Sequence, residues 1–193
     1  MKKTALLILF ILFCSTNIFA LENDTLYKYA KLDFCLSAGS TETYDKEDRE
    51  RSMVSIGFMA NAAFGLQLNR FRYEISYQER AEVSEMLQTM LGLVSTLTVR
   101  AGMANVFYDY LTTKHFAMYV GTGVGLAYYD LTMKTWSDFY EDSGYSCILG
   151  AYTGLTFIIK EVFFIDLGFD YYYINKPETN TFAPKIGFRY AFY

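Results

Sequence analysis

Apolar and polar residues alternate with a period of two in eight stretches of this 193-residue chain. Met53–Leu68 shows the pattern best: Val54, Ile56, Phe58, Ala60, Ala62, Phe64, Leu66 and Leu68 fall on one face, and Ser55, Gly57, Asn61, Gly65 and Gln67 on the other. Successive side chains of a strand point to opposite faces, so a period of two predicts β-structure. Strands are expected at 28–39, 53–68, 71–79, 96–110, 115–129, 145–158, 162–174 and 183–193. The second, fourth and sixth connections (Asn69-Arg70, Leu111–Lys114, Ile159–Glu161) are tight, whereas Ser40–Ser52, Arg80–Ser95, Asp130–Gly144 and Asn175–Phe182 are longer and polar. Short turns at one end and long loops at the other predict an all-β fold, an eight-stranded antiparallel up-and-down transmembrane β-barrel. Strands of ten or more residues cross a bilayer even when tilted.

Which face points inward decides the environment. On strand three Phe71, Tyr73, Ile75 and Tyr77 oppose Arg72, Glu74, Ser76 and Gln78; on strand seven Phe163, Ile165, Leu167, Phe169, Tyr171 and Tyr173 oppose Asp166, Gly168, Asp170 and Tyr172; on strand eight Ile186, Phe188, Tyr190 and Phe192 oppose Lys185, Gly187 and Arg189. Strand one adds Lys31 and Asp33, and strand four Arg100. Between the charges the polar face carries small residues, including Gly121, Gly123 and Gly125 on strand five and Gly150 and Gly154 on strand six. Small residues make room for long paired side chains in a narrow cylinder. The expectation is therefore lipid outside and a charged, packed lumen drawing on Lys31, Asp33, Arg72, Glu74, Arg100, Asp166, Asp170, Lys185 and Arg189. The competing arrangement is a lipocalin-like soluble barrel with an apolar interior.

Rings cluster at strand ends: Phe71, Phe107, Phe116, Phe157 and Phe163 near the short turns, Tyr128, Tyr145, Tyr171 and Tyr173 near the long loops. Two aromatic belts suit the two membrane interfaces. Among the long connections, the first is dense in charge (Glu42, Asp45, Glu47, Asp48 and Glu50 against Lys46, Arg49 and Arg51). The fifth sets Trp136, Phe139 and Tyr140 beside Asp138, Glu141 and Asp142, a candidate contact surface. In the third, Val83, Met86, Leu87, Met90, Leu91 and Val94 follow helical spacing, which predicts a short amphipathic helix; a strand extension with a broken pattern is the alternative.

Residues 1–20 read as a cleaved export signal: basic Lys2 and Lys3, an apolar Ala5–Phe13 core, and Ile18-Phe19-Ala20 before the cut. Cys14 raises a lipoprotein alternative, disfavoured by bulky Phe13 ahead of it. Residues 21–193 then form one barrel domain in a bacterial outer membrane. Losing both lysines takes the formal charge from −4 to about −6. No basic footprint for nucleic acid remains. Cys35 and Cys147 are expected as free thiols because the register gives them opposite orientations.

Chemistry is sparse. The single histidine, His115, sits at a short turn on the expected periplasmic side, away from any catalytic partner near the outer leaflet. No Cys/His cluster has metal-ligand spacing, and the Gly121/Gly123/Gly125 run lies within a strand without a following helix, so no metal, cofactor or catalytic residue is assigned. An eight-stranded barrel is just wide enough for its side chains to fill, so the interior charges are expected to plug it rather than line a channel.

The stretch Lys185-Ile186-Gly187-Phe188-Arg189-Tyr190-Ala191-Phe192 resembles the β-signal read by the outer-membrane assembly machinery, with Gly187, Tyr190 and Phe192 at the key positions and Tyr193 one residue beyond the usual end. Asn105–Tyr110, followed by Tyr119-Val120-Gly121-Thr122-Gly123-Val124-Gly125, looks like strands four and five of opacity-type surface antigens, relatives of the OmpA/OmpX-like barrels. The resemblance implies a non-enzymatic surface antigen or adhesin-like barrel. Its partners would be outer-membrane lipid, the assembly machinery at the last strand, and a host or surface ligand at the loops. The alternatives are an envelope-integrity barrel without a dedicated ligand, a narrow channel and a lipid-modifying barrel enzyme.

Overall fold

A computed structural model describes residues 26–44, 50–86, 93–134, 139–160 and 162–192. Eight strands, β1 (Leu26–Tyr44), β2 (Glu50–Leu68), β3 (Phe71–Met86), β4 (Leu93–Thr112), β5 (Phe116–Lys134), β6 (Phe139–Lys160), β7 (Phe163–Ile174) and β8 (Glu178–Phe192), close in chain order into one antiparallel barrel. β8 pairs with β1 through rungs such as Lys31–Arg189 and Asp33–Gly187, which leaves no open edge. The β2–β3 turn is Asn69-Arg70; Asn69 has φ of 55°, a left-handed conformation that asparagine tolerates. Register shifts at Asp109/Leu111 and Ile158/Lys160 put both irregularities at the short-turn end.

The expected strands are present, but most are longer than the sequence pattern indicates. A tilted strand needs about 9–11 residues to cross hydrocarbon. β1 to β6 have 16 to 22 residues and β7 only 12. The surplus lies at the long-connection end, where paired strands replace expected loops. β1 and β2 run on until only 45–49 separate them. The seventh connection shrinks from the expected 175–182 to 175–177. The amphipathic helix is also corrected: Val83 and Met86 belong to β3 and Val94 to β4, because cross-strand pairing continues to Met86–Leu93. Leu87, Met90 and Leu91 lie outside the described residues, as do 1–20, Asp45–Arg49 and Trp136.

The bulky apolar face points outward. Phe58 is 73% and Ile75 76% exposed, alongside Leu32, Phe34, Phe64, Leu126, Phe169, Phe188 and Tyr190. Water would not tolerate so continuous an apolar wall, whereas hydrocarbon requires one. No helix among the described residues is long and apolar enough to cross a membrane; the strands do the crossing. Phe107 is the exception among the expected belt residues: it is buried in the lumen, in phase with Asn105 and Asp109.

Candidate functional site

The inner surface of the barrel gathers the chain's ionic chemistry. Near the short turns Arg72 Nη2 lies 3.0 Å from Asp109 Oδ1, and Asp166 sits between Arg72 (4.0 Å) and Arg189 (3.5 Å). Thr156 donates a short hydrogen bond to the same Asp166. One layer up, Lys31 Nζ serves both Asp33 (3.1 Å) and Glu74 (3.6 Å); Tyr29 Oη donates to Glu74 at 2.8 Å and Asn61 Nδ2 to Asp33 at 3.0 Å. Lys185 Nζ pairs with Asp170 at 2.7 Å, and Tyr172 Oη donates to the same carboxylate. Rings pack against the cations: Arg72 lies 4.5 Å from the Tyr119 centroid and 5.0 Å from Phe107, and Arg189 4.7 Å from Phe164. Every ion here is buried, where an unpaired charge would cost several kcal/mol, about, after relaxation.

Glycines make this packing fit. A Cβ at Gly121 would strike the Phe107 ring, one at Gly123 the Asn105 amide, and one at Gly187 the Asp33 carboxylate. The strand-five glycines thus leave room for Phe107 and Asn105, and Gly187 for the Lys31–Asp33 pair.

Eight of the nine expected lumen charges lie inside. Arg100 does not: it is on the outer face, half exposed, with Nε 3.1 Å from Glu79. Inward positions of β4 are odd-numbered (Leu97, Val99, Ala101, Met103, Asn105, Phe107, Asp109), so Arg100 points out. Three lumen charges escaped the sequence reading. Arg80 and Glu82 pair at 3.3 Å on β3, in phase with Arg72, Glu74, Ser76 and Gln78, but within a stretch expected to be a loop. Asp109 likewise continues the β4 inner face.

An apolar cluster fills the lumen toward the long connections: Met59, Leu97, Val99, Met103, Tyr129, Leu131, Ile148 and Ile174, with Cys35 among them. Cys147 is exposed on the outer face of β6, and both thiols are free. His115 is exposed in its turn, where its backbone N–H donates to Thr113 Oγ1 at 3.4 Å. Among the described residues no three His, Cys, Asp or Glu side chains are arranged to hold a metal ion.

The remaining sequence-derived positions are at the surface. Phe139 and Tyr140 are exposed but lie on the first residues of β6 rather than in a loop, with Lys134 Nζ 5.5 Å from the Phe139 ring centroid. In β8, Tyr190 and Phe192 face outward and Gly187 inward, as strand alternation demands.

The family profile described as opacity family porin protein matches residues 64–192. No curated protein matches the chain. Among solved structures, Neisserial surface protein A (NspA) is similar over 86% of this chain and 97% of its own, with 18% identity and a TM-score of 0.61. Ail, the attachment invasion locus protein of Yersinia pestis, is similar over 85% and 98%, with 15% identity and a TM-score of 0.50. The outer membrane protein OprG of Pseudomonas aeruginosa is similar over 89% and 98%, with 15% identity and a TM-score of 0.50. Profile and fold together assign the barrel to a bacterial outer membrane.

Proposed function

For a chain that belongs to the opacity family of porin proteins, we propose a non-enzymatic role in which a plugged barrel holds a contact surface outside the cell. The observation that carries this reading is the surplus length of β3 to β6. These strands extend well past the span a bilayer needs and present Phe139, Tyr140 and Tyr145, all exposed, at their outer end. Exposed rings beside Lys134, Glu141 and Asp142 suit recognition of a polar partner with apolar patches. The same fold serves a protein named for attachment and invasion in Yersinia pestis, and that protein has been crystallised with the heparin analogue sucrose octasulfate. A host or surface ligand at the outer end is the corresponding partner here. Outer-membrane lipid surrounds the wall, and Gly187, Tyr190 and Phe192 serve as the signal to the assembly machinery. The internal ion pairs serve packing and not catalysis, and His115 stands apart from any acid or hydroxyl nucleophile near the outer end.

Replacing Trp136, Phe139 and Tyr140 together with serine tests the proposal on intact cells. Attachment to host surfaces should fall while the folded barrel still migrates differently before and after boiling. Unchanged attachment with increased detergent sensitivity would instead support the envelope-integrity reading.

A further inference from the structure

The outer wall is hollowed where β8, β1 and β2 adjoin. There Ala30 and Ala62 form a low floor between the rings of Phe64, Phe163, Phe188 and Tyr190. Register explains the hollow: Ala30 pairs with Phe64 on one side and Tyr190 on the other, and Leu32 pairs with Ala62 and Phe188. Its volume is about 400 Å³ and its lining almost wholly apolar, within the ~300–1,000 Å³ range of small-molecule sites. It lies in the half of the wall nearer the short turns. Phe163 opens β7, and Ala30 and Phe64 are each four residues from the turn-side ends of β1 and β2. Short turns of such barrels face the periplasm.

At this end the outer surface becomes cationic. Lys28, the next outward residue from Ala30 toward the turns, is exposed between its register partners Leu66 and Phe192. Arg70 follows β2 in its turn, and Lys160 joins the hollow along the rung Lys160–Phe163–Tyr190–Ala30. Among the described residues none of the three cations pairs with a carboxylate, and Asp109 and Asp166, the acids nearest these turns, are buried in the lumen. Glu22, Asp24 and Glu161 lie outside the described residues.

An apolar groove that ends in positive charge at the membrane interface is complementary to a lipid with a negative headgroup. A second copy of this chain fits less well. Two barrels inserted in the same sense would bring Lys28, Arg70 and Lys160 of both to one level, like charge against like. We infer that the hollow binds an anionic phospholipid of the periplasmic leaflet, with an acyl chain over Ala30 and Ala62 and the phosphate at Lys28. Arg70 and Lys160 add to the attraction from either side. Elsewhere the wall takes any lipid; here shape holds the chain and charge selects the headgroup.

The test uses the full chain folded in non-ionic detergent micelles and weighed by native mass spectrometry. Phosphatidylglycerol or phosphatidylcholine with the same acyl chains is added. One phosphatidylglycerol should stay on each barrel at concentrations where phosphatidylcholine does not. Lys28→Gln should weaken that retention about fivefold, the effect of one cation near an anionic headgroup. Ala62→Phe fills the hollow without changing charge and should abolish retention. Gly102→Leu, on the outer face of β4 where an added Cβ meets nothing within 4 Å, should behave as wild type. Heat-shifted gel migration verifies folding, and should Ala62→Phe fail to fold, Ala30→Leu decides. Equal retention of the two lipids, or retention untouched by Lys28→Gln or by filling the hollow, would overturn the inference. So would lipid-free pairs of barrels that Ala62→Phe separates, which would give the hollow to a second copy.

Discussion

The two ends of the lumen are filled by opposite chemistry. Toward the short turns, Arg72, Asp109, Asp166 and Arg189 neutralise one another amid aromatic rings. Toward the long connections, Leu97, Val99, Leu131, Ile148 and Ile174 pack against each other, and Arg80–Glu82 is the one ion pair among the described residues of that region. Both are buried, so the cylinder's narrowness does not dictate what fills it. The outer wall differs in step. Below, it is Phe, Tyr, Ile and Leu; on β4 above, Thr96, Thr98 and Arg100 face outward while Leu97 and Val99 face in. Where the wall meets lipid the polar groups turn inward; above it β4 inverts, while β3 at the same rungs keeps Glu82 inside and Val83 outside. Alternation therefore reports a contrast between two environments, and not which of them is the interior.

Three substitutions would break or sharpen this comparison. Asp166→Ala removes the carboxylate shared by Arg72 and Arg189 and should lower unfolding stability by about 5 kcal/mol, the upper end for stranding buried charge. Urea titration in lipid vesicles would measure it, and a loss under about 1 kcal/mol would mean the charged half is more hydrated than its burial indicates. Ile148→Ala, in the apolar half, should cost about 3 kcal/mol through lost burial and the cavity left behind. A negligible change in the same titration would show that the upper lumen is loosely packed. Arg100→Ala should matter least, below about 1 kcal/mol, because its pair with Glu79 is half exposed. A loss matching that of Asp166→Ala would contradict the outer-face position.

Legibility followed the strength of local alternation. Ile165–Tyr171 of β7 and Lys185–Phe192 of β8 alternate without interruption, and Asp166, Asp170, Lys185 and Arg189 all lie on the face their phase predicts. On β3 the phase that places Arg72 and Glu74 inside continues through Arg80 and Glu82, but charge density there resembles a loop. Only cross-strand pairing with β4 reveals the strand. Phe107 defeated a rule of polarity: an aromatic near a short turn suits a membrane interface equally well, and its inward position depends on the space left by Gly121. Arg100 failed for the converse reason, since a charge on a membrane strand is expected inside unless the strand is known to outrun the bilayer.

The order of apolar and polar residues by itself determined eight strands, their antiparallel succession and the outward apolar face, because a two-residue period and short turns are local properties of the chain. Which charges meet, how far the strands climb beyond the membrane, and where the lumen changes from ionic to apolar were decided by closure of the barrel. Closure brings together residues more than a hundred positions apart, such as Gln67 and Arg189, and the spaces between them depend on glycines whose effect appears only against a neighbouring strand.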